Sequence, residues 1–208
     1  MDQFLRERRF LLVIVTGCLL LSGIRPVDRL TWLLEVLPVL AGIPLLIATA
    51  TTFPLTPLLY RLLALHAFIL IVGGHYTYAE VPIGRWVQEA FGLARNHYDR
   101  LGHFAQGFIP AILVRELLLR TSPLQPGRWL ACLVSACCLA FSALYELFEW
   151  GTALALGQSA TDFLGTQGDV WDTQWDMFLA LTGSITAQLT LSRLHDRQLR
   201  DMAKPNRT

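Results

Sequence analysis

The chain has 208 residues, 53% hydrophobic and 16% charged, with a mean hydropathy of +0.44. Seventeen Lys and Arg nearly balance sixteen Asp and Glu, a formal charge of +1, which excludes the basic stripe that nucleic-acid binding requires. Several apolar stretches approach the roughly 20 residues that cross a hydrocarbon core as helix, so a soluble domain is excluded and the lipid bilayer is the expected partner.

Six spans are predicted in chain order with that template: Phe10–Ile24, Leu30–Ala50, Leu58–Gly74, Gly102–Leu119, Trp129–Phe148 and Trp175–Leu194. The expected fold is all-α, a polytopic membrane helix bundle forming one integral domain over residues 1–208, with a basic cytoplasmic tail at 195–208. Val15-Thr16-Gly17-Cys18 loosely resembles a lipoprotein cleavage box, but apolar sequence continues through Leu19, Leu20, Leu21 and Ile24, which favours an uncleaved first span. Pro38, Pro44 and Pro110 fall inside spans, where kinks are expected. Between the third and fourth spans, Ile83, Trp86, Val87, Ala90 and Phe91 share one side of a helical wheel with Arg85 and Glu89 elsewhere, the pattern of a helix lying in the headgroup plane.

Trp32, Trp129, Trp150, Trp171 and Trp175 sit close to proposed span ends, as indole rings at an interface should. A six-span chain has both termini in one compartment. Eleven Lys and Arg then lie on the termini side, against five on the other: Arg25, Arg29, Arg85, Arg95 and Arg100. The bias predicts cytoplasmic termini. Cys18, Cys132, Cys137 and Cys138 lie in apolar runs without ligand spacing and read as small core residues.

Polar groups gather at the opposite side. At about 100° per residue, Asp169, Asp172 and Asp176 form one narrow stripe if the last helix begins that early; Asp99, His103 and Gln106 form another, and Glu146 and Glu149 a third. Glu35, His75, Tyr78, Glu80 and Asp162 fall in the same half. Carboxylates at membrane depth repel each other and lose hydration, so each needs a cationic partner, a bound cation or a proton. A divalent metal held by His103, Glu146, Asp172 and Asp176, with Asp99 and Glu149 beside it, is one expectation. Its counterparts are a solvated helix start for Asp169, a helix cap for Asp99, and interhelical hydrogen bonds for His103 and Gln106. Asp176 shares its face with Ala180 and Gly183, which predicts a close helix–helix seam. Arg115 and Glu116 read as structural, by snorkelling or pairing across helices, and His66 as a hydrogen-bonded core histidine.

Three motifs carry a resemblance: Asn96-His97-Tyr98-Asp99-Arg100-Leu101-Gly102-His103-Phe104, Tyr145-Glu146-Leu147-Phe148-Glu149-Trp150, and the run Gly165-Thr166-Gln167-Gly168-Asp169-Val170-Trp171-Asp172-Thr173-Gln174-Trp175-Asp176-Met177. Together they resemble the YjdF-like family of bacterial inner-membrane proteins from about the second span to the sixth. The acidic start and small residues of the last helix are also faintly similar to VanZ-like membrane proteins. The YjdF-like resemblance implies a multi-pass protein of the bacterial plasma membrane and no particular chemistry. Three functions stay open on the residues: a metal-assisted enzyme acting on a lipid or envelope intermediate, a noncatalytic scaffold or partner protein, and a proton- or cation-coupled transporter.

Overall fold

The structure, a computed structural model, describes residues 2–156, 163 and 165–203. Asp162 and the end of the basic tail, with Lys204 and Arg207, lie outside the described residues. Those residues form helices and no strand: α1 Asp2–Ser22, α2 Arg29–Ala48, α3 Pro57–Tyr76, a 3-10 turn Tyr78–Glu80, α4 Pro82–Phe91, α5 Tyr98–Thr121, α6 Arg128–Leu156 and α7 Asp172–Ala203.

Local chemistry sets the boundaries. The Asp28 carboxylate accepts from Thr31 N at 2.7 Å and starts α2. Thr56 caps α3, whose first residue is Pro57, a position where the missing N–H is no loss. Gly92 ends α4 with φ 63°, a left-handed conformation that favours glycine. The helices assigned to α2 and α5 run through Pro38, Pro44 and Pro110.

α3 and α5 form the centre. α1 and α2 pack on α3, α3 packs on α5, and α5 meets both α6 and α7, with α5–α7 the most extensive interface. Apolar groups fill both halves: Val15, Leu19, Val36 and Ile71 between α1, α2 and α3, and Leu59, Ile112, Val134 and Ala187 between α3, α5, α6 and α7. Consecutive long helices alternate in direction up to α6. α5 and α7 run parallel, since Asp99 and His103 lie beside Asp172 and Asp176 while Arg115 lies beside His195 and Asp196.

Small residues draw that parallel pair together. A Cβ on Gly107 would collide with the carbonyl of Ala180, and one on Gly183 with the backbone of Phe104 and Phe108. The seam expected from Asp176, Ala180 and Gly183 is therefore the face that α7 presents to α5. The outward surfaces are apolar instead: Leu20, Leu45, Leu144 and Leu189 are each more than 60% exposed, far beyond the scattered apolar exposure of a soluble monomer.

Among the described residues, α2, α3 and α6 combine the length and apolarity that a membrane crossing needs. α1, α5 and α7 have sufficient length but more charge: α1 carries Arg6, Glu7, Arg8 and Arg9, and α5 and α7 bury ionisable groups against each other. α4 stands apart, with no buried residue and with Ile83, Trp86 and Phe91 exposed.

Candidate functional site

At the end of the bundle opposite the N-terminus, the loop before α5 and the start of α7 bring Arg95 among carboxylates. Its guanidinium pairs with Asp172, with Asp99 at 3.1 Å and with Asp169 at 3.6 Å, and it donates to Gly165 O at 3.2 Å. Arg100 holds Asp169 at 2.5 Å and stacks 5.1 Å from the Trp175 ring. Gln167 clamps the same loop through the backbone of Asn96, accepting from its N at 2.9 Å and donating to its O at 3.0 Å. The cation that α7's acidic start needs thus comes from the α4–α5 loop.

Two expectations change here. α7 begins at Asp172, so Asp169 lies in the preceding turn rather than on the helical stripe; its carboxylate accepts from Trp171 N at 2.9 Å. His97, not Asp99, is the residue before the first turn of α5. Both Asp169 and His97 lie outside the spans. Asp169 is held below the usual carboxylate range by the Trp171 N–H and then by Arg100 and Arg95. His97 is held below the usual imidazole range by burial, then by the same two arginines.

One turn deeper, a histidine takes the place of the arginines among the carboxylates. His103 Nε2 lies 3.4 Å from Asp99 Oδ1 and 3.8 Å from Asp176 Oδ2. His103 Nδ1 faces Gln106 Oε1 at 2.9 Å, with Glu146 Oε1 at 3.9 Å. Gln106 thus holds the Nδ1 side of the ring, and Nε2 is turned toward Asp99 and Asp176. Asp176 is 3% exposed and Glu146 8% exposed, yet Asp176 Oδ1 and Glu146 Oε1 have no hydrogen-bond partner. Such orphaned acceptors are costly in a buried site.

Ligand atoms of Asp99, His103 and Asp176 lie within 4.8 Å of one another. A tetrahedral metal with ligands about 2.1 Å away sets ligand atoms roughly 3.4 Å apart, so this trio fits a small cation after slight contraction. Glu146 lies on the other side of the imidazole, 3.9 Å from Nδ1. Asp172, expected among the ligands, lies outside this trio and pairs with Arg95, which also holds the second oxygen of Asp99, and Asp169 pairs with Arg100. Glu149 and Glu35 are buried nearby on α6 and α2, with Tyr145 donating to Glu35 at 3.3 Å.

Asp99, His103, Gln106, Glu35, Tyr145 and Glu149 line the polar end of a cleft of about 780 Å³ bounded by α1, α2, α3, α5 and α6, and Asp176 and Glu146 are not among its lining residues. Its wall is otherwise mostly apolar. His66 also lines it, and its Nε2 has no hydrogen-bond partner. The expected hydrogen-bonded core histidine is absent, because the residues around it on α3 are aliphatic and offer no side-chain partner.

The other end of the α5–α7 seam holds a second buried polar cluster. Glu116 accepts from Thr56 N at 3.1 Å, from Thr56 Oγ1 at 2.8 Å and from Arg120 at 2.8 Å, and meets His195 Nε2 at 3.0 Å. His195 Nδ1 faces Arg115 at 2.8 Å, and Arg115 pairs with Asp196 at 2.7 Å. The structural reading of Arg115 and Glu116 agrees with these contacts. His195 and Thr56 were not anticipated, although the signal for His195 was present: the stripe Asp176, Ala180, Gly183, Ala187 continues by steps of four through Leu191 to His195.

Residues 7–197 match the family described as a predicted membrane protein, DUF2238. The chain is 57% identical over 186 residues to the inner membrane protein YjdF of Escherichia coli (strain K12), a match covering 89% of each chain. No solved structure matches it.

Proposed function

For a chain that belongs to the DUF2238 family of predicted membrane proteins, we propose that Asp99, His103 and Asp176 bind a divalent cation and use it on a lipid or envelope intermediate. In this reading all six long helices cross a bacterial inner membrane, both termini are cytoplasmic, and α4 lies along the outer interface. The inner-membrane name of the relative supports the location. The excess of Lys and Arg on the termini side supports the orientation, and the exposed Ile83, Trp86 and Phe91 support the placing of α4.

One observation carries the cation: the buried Asp176 Oδ1 and Glu146 Oε1 lack partners while His103 Nε2 is turned toward Asp99 and Asp176. Oxygen ligands with one imidazole suit zinc or manganese. Such an ion would polarise a phosphoryl or carbonyl oxygen and lower the pKa of a bound water. The residues' own roles are distinct. Asp99, His103 and Asp176 supply donors, Gln106 orients the imidazole, and Arg95 and Arg100 neutralise the neighbouring Asp172 and Asp169. The Arg95 network also favours a second reading, a scaffold whose ion pairs only set helix register. A proton or cation path along the α5–α7 seam is disfavoured by its closure at Gly107 and Gly183.

Metal analysis of protein purified at neutral pH, with and without a chelator, separates the readings. The expected result is a stoichiometric divalent cation in the wild type, lost in His103→Ala and Asp176→Asn with the fold retained, and an altered membrane lipid profile in cells carrying either variant. A metal-free wild type whose variants leave the lipid profile unchanged would favour the scaffold.

A further inference from the structure

The cleft that ends at His103 has a shape the cation does not explain. Its α5 wall is a single stripe, Asp99, His103, Gln106, Pro110, Leu113 and Leu117, so it follows the helix for most of its length. α5 has 24 residues, about 36 Å at 1.5 Å per residue, comparable with the roughly 30 Å hydrocarbon core of a bilayer. The long axis therefore matches the membrane's depth. An elongated, mostly apolar space of about 780 Å³ along that length admits an extended hydrocarbon chain.

The side opening follows from the packing. α2 packs on α3, and α6 packs on α5 and α7; the cleft lies over the α3–α5 junction, with α2 on one flank and Phe141 and Tyr145 of α6 on the other. At the polar end the two flanks are bridged by the Tyr145–Glu35 hydrogen bond. Glycine at position 42 keeps the α2 flank low, since nothing lies within 4 Å of where its Cβ would be. The three carboxylates of the lining, Glu35, Asp99 and Glu149, all belong to the polar end, and Arg8 and Arg9 line the opposite mouth.

We infer that this cleft is the seat of a membrane amphiphile with a single long hydrocarbon chain, which enters between α2 and α6 and places a phosphate-bearing head against the Asp99–His103–Asp176 centre. The chain supplies affinity by burying apolar surface, at about 25 cal/mol per Å². The head is matched by charge: an acid-lined end repels a bare phosphate, and a divalent cation held there converts it into an anion site. This deepens the proposed function and rests on it for the head. The chain seat stands on the cleft alone.

The test uses purified full-length protein in detergent, a long-chain alkyl monophosphate carrying a mid-chain diazirine, and metal analysis of the same samples. Photolabelling is expected on peptides that line the cleft, such as those holding Leu113 and Leu117. Gly42→Phe, which fills the cleft from its open flank, is expected to cut that labelling at least tenfold while leaving the cation content unchanged; Gly42→Leu should give a smaller cut in the same direction. Asp176→Asn is expected to lose the cation and weaken the alkyl phosphate, while a long-chain alcohol probe labels as before. Excess inorganic phosphate should displace neither probe's chain from the cleft. Equal labelling of Gly42→Phe and wild type, or labelling in proportion to outward exposure at positions such as Leu65 and Leu189, would overturn the chain seat. Loss of the cation response alone, with the cleft still labelled, would overturn the head and the metal reading together but keep the seat.

Discussion

The two ends of the α5–α7 seam use the same side-chain types to different ends. Near the termini, Glu116 and His195 are fully buried and fully partnered: Thr56, Arg120 and Arg115 surround them with donors. At the far end, Asp99, His103, Asp176 and Glu146 are almost as buried, but Arg95 reaches only Asp99 among them and two carboxylate oxygens, Asp176 Oδ1 and Glu146 Oε1, have no partner. A buried polar cluster that is complete fixes structure. One that is incomplete at equal burial leaves acceptors that the proposed cation would satisfy.

The largest effect is expected at the complete end. Glu116→Ala leaves His195 and Arg120 facing an empty site, and breaking a buried pair typically costs about 3–5 kcal/mol; thermal unfolding in detergent should show a large drop in midpoint and folded yield. The isosteric Glu116→Gln should lose less, since the amide oxygen still accepts from Thr56. Next in size is the seam. Gly183→Val places carbon against the Phe104 carbonyl, and overpacking of this kind costs about 1–3 kcal/mol; both ends should loosen together, seen as reduced midpoint and reduced cation content in one variant.

Asp176→Asn reverses the pattern. Removing one of several mutually repelling carboxylates should change the unfolding midpoint of chelated protein little, by less than about 1 kcal/mol on the scale of ordinary substitutions, while abolishing the stabilisation that added zinc or manganese gives the wild type. If Asp176→Asn instead destabilises the chelated protein as strongly as Glu116→Ala, the two ends are alike and the contrast fails.

How much of this was legible follows from which physical signal each part leaves. Helix existence was legible because apolar runs bounded by Trp and Arg are dictated by the solvent, and the convergence of Asp99, His103, Glu146 and Asp176 followed from helical period and alternating direction. Asp172 and Asp169 were grouped with them because the sequence shows acids three and four apart but not where α7 starts; the Asp169–Trp171 turn decides that. The partner choice of Arg95 depends on a loop whose path no periodicity encodes. His195 was hidden differently, since the basic residues around it read as a solvated tail while its own side chain lies on the α5 face. The cleft, being space between non-sequential helices, leaves no mark in any one segment.

The smallest effect separates the loop cap from both clusters by pH. Below about 6.5, the ordinary imidazole value, the unfolded chain takes up a proton at His97 that the folded chain, with burial and Arg100 and Arg95 lowering that pKa, resists; stability therefore falls as pH drops from there toward the folded value. Asp169 acts later and with the same sign. Its folded pKa is depressed, so its contribution is intact above the ordinary carboxylate value near 3.9 and is lost as pH falls through the folded one. His97→Gln should flatten the first decline and Asp169→Asn the second, in unfolding midpoints measured from pH 8 downward in chelated protein. Salt should shrink the second step more, because Asp169 and Arg100 are the more accessible pair. A first decline that persists undiminished in His97→Gln would place its origin in the buried acid–histidine centre, and the loop cap would no longer be distinguishable from the site it encloses.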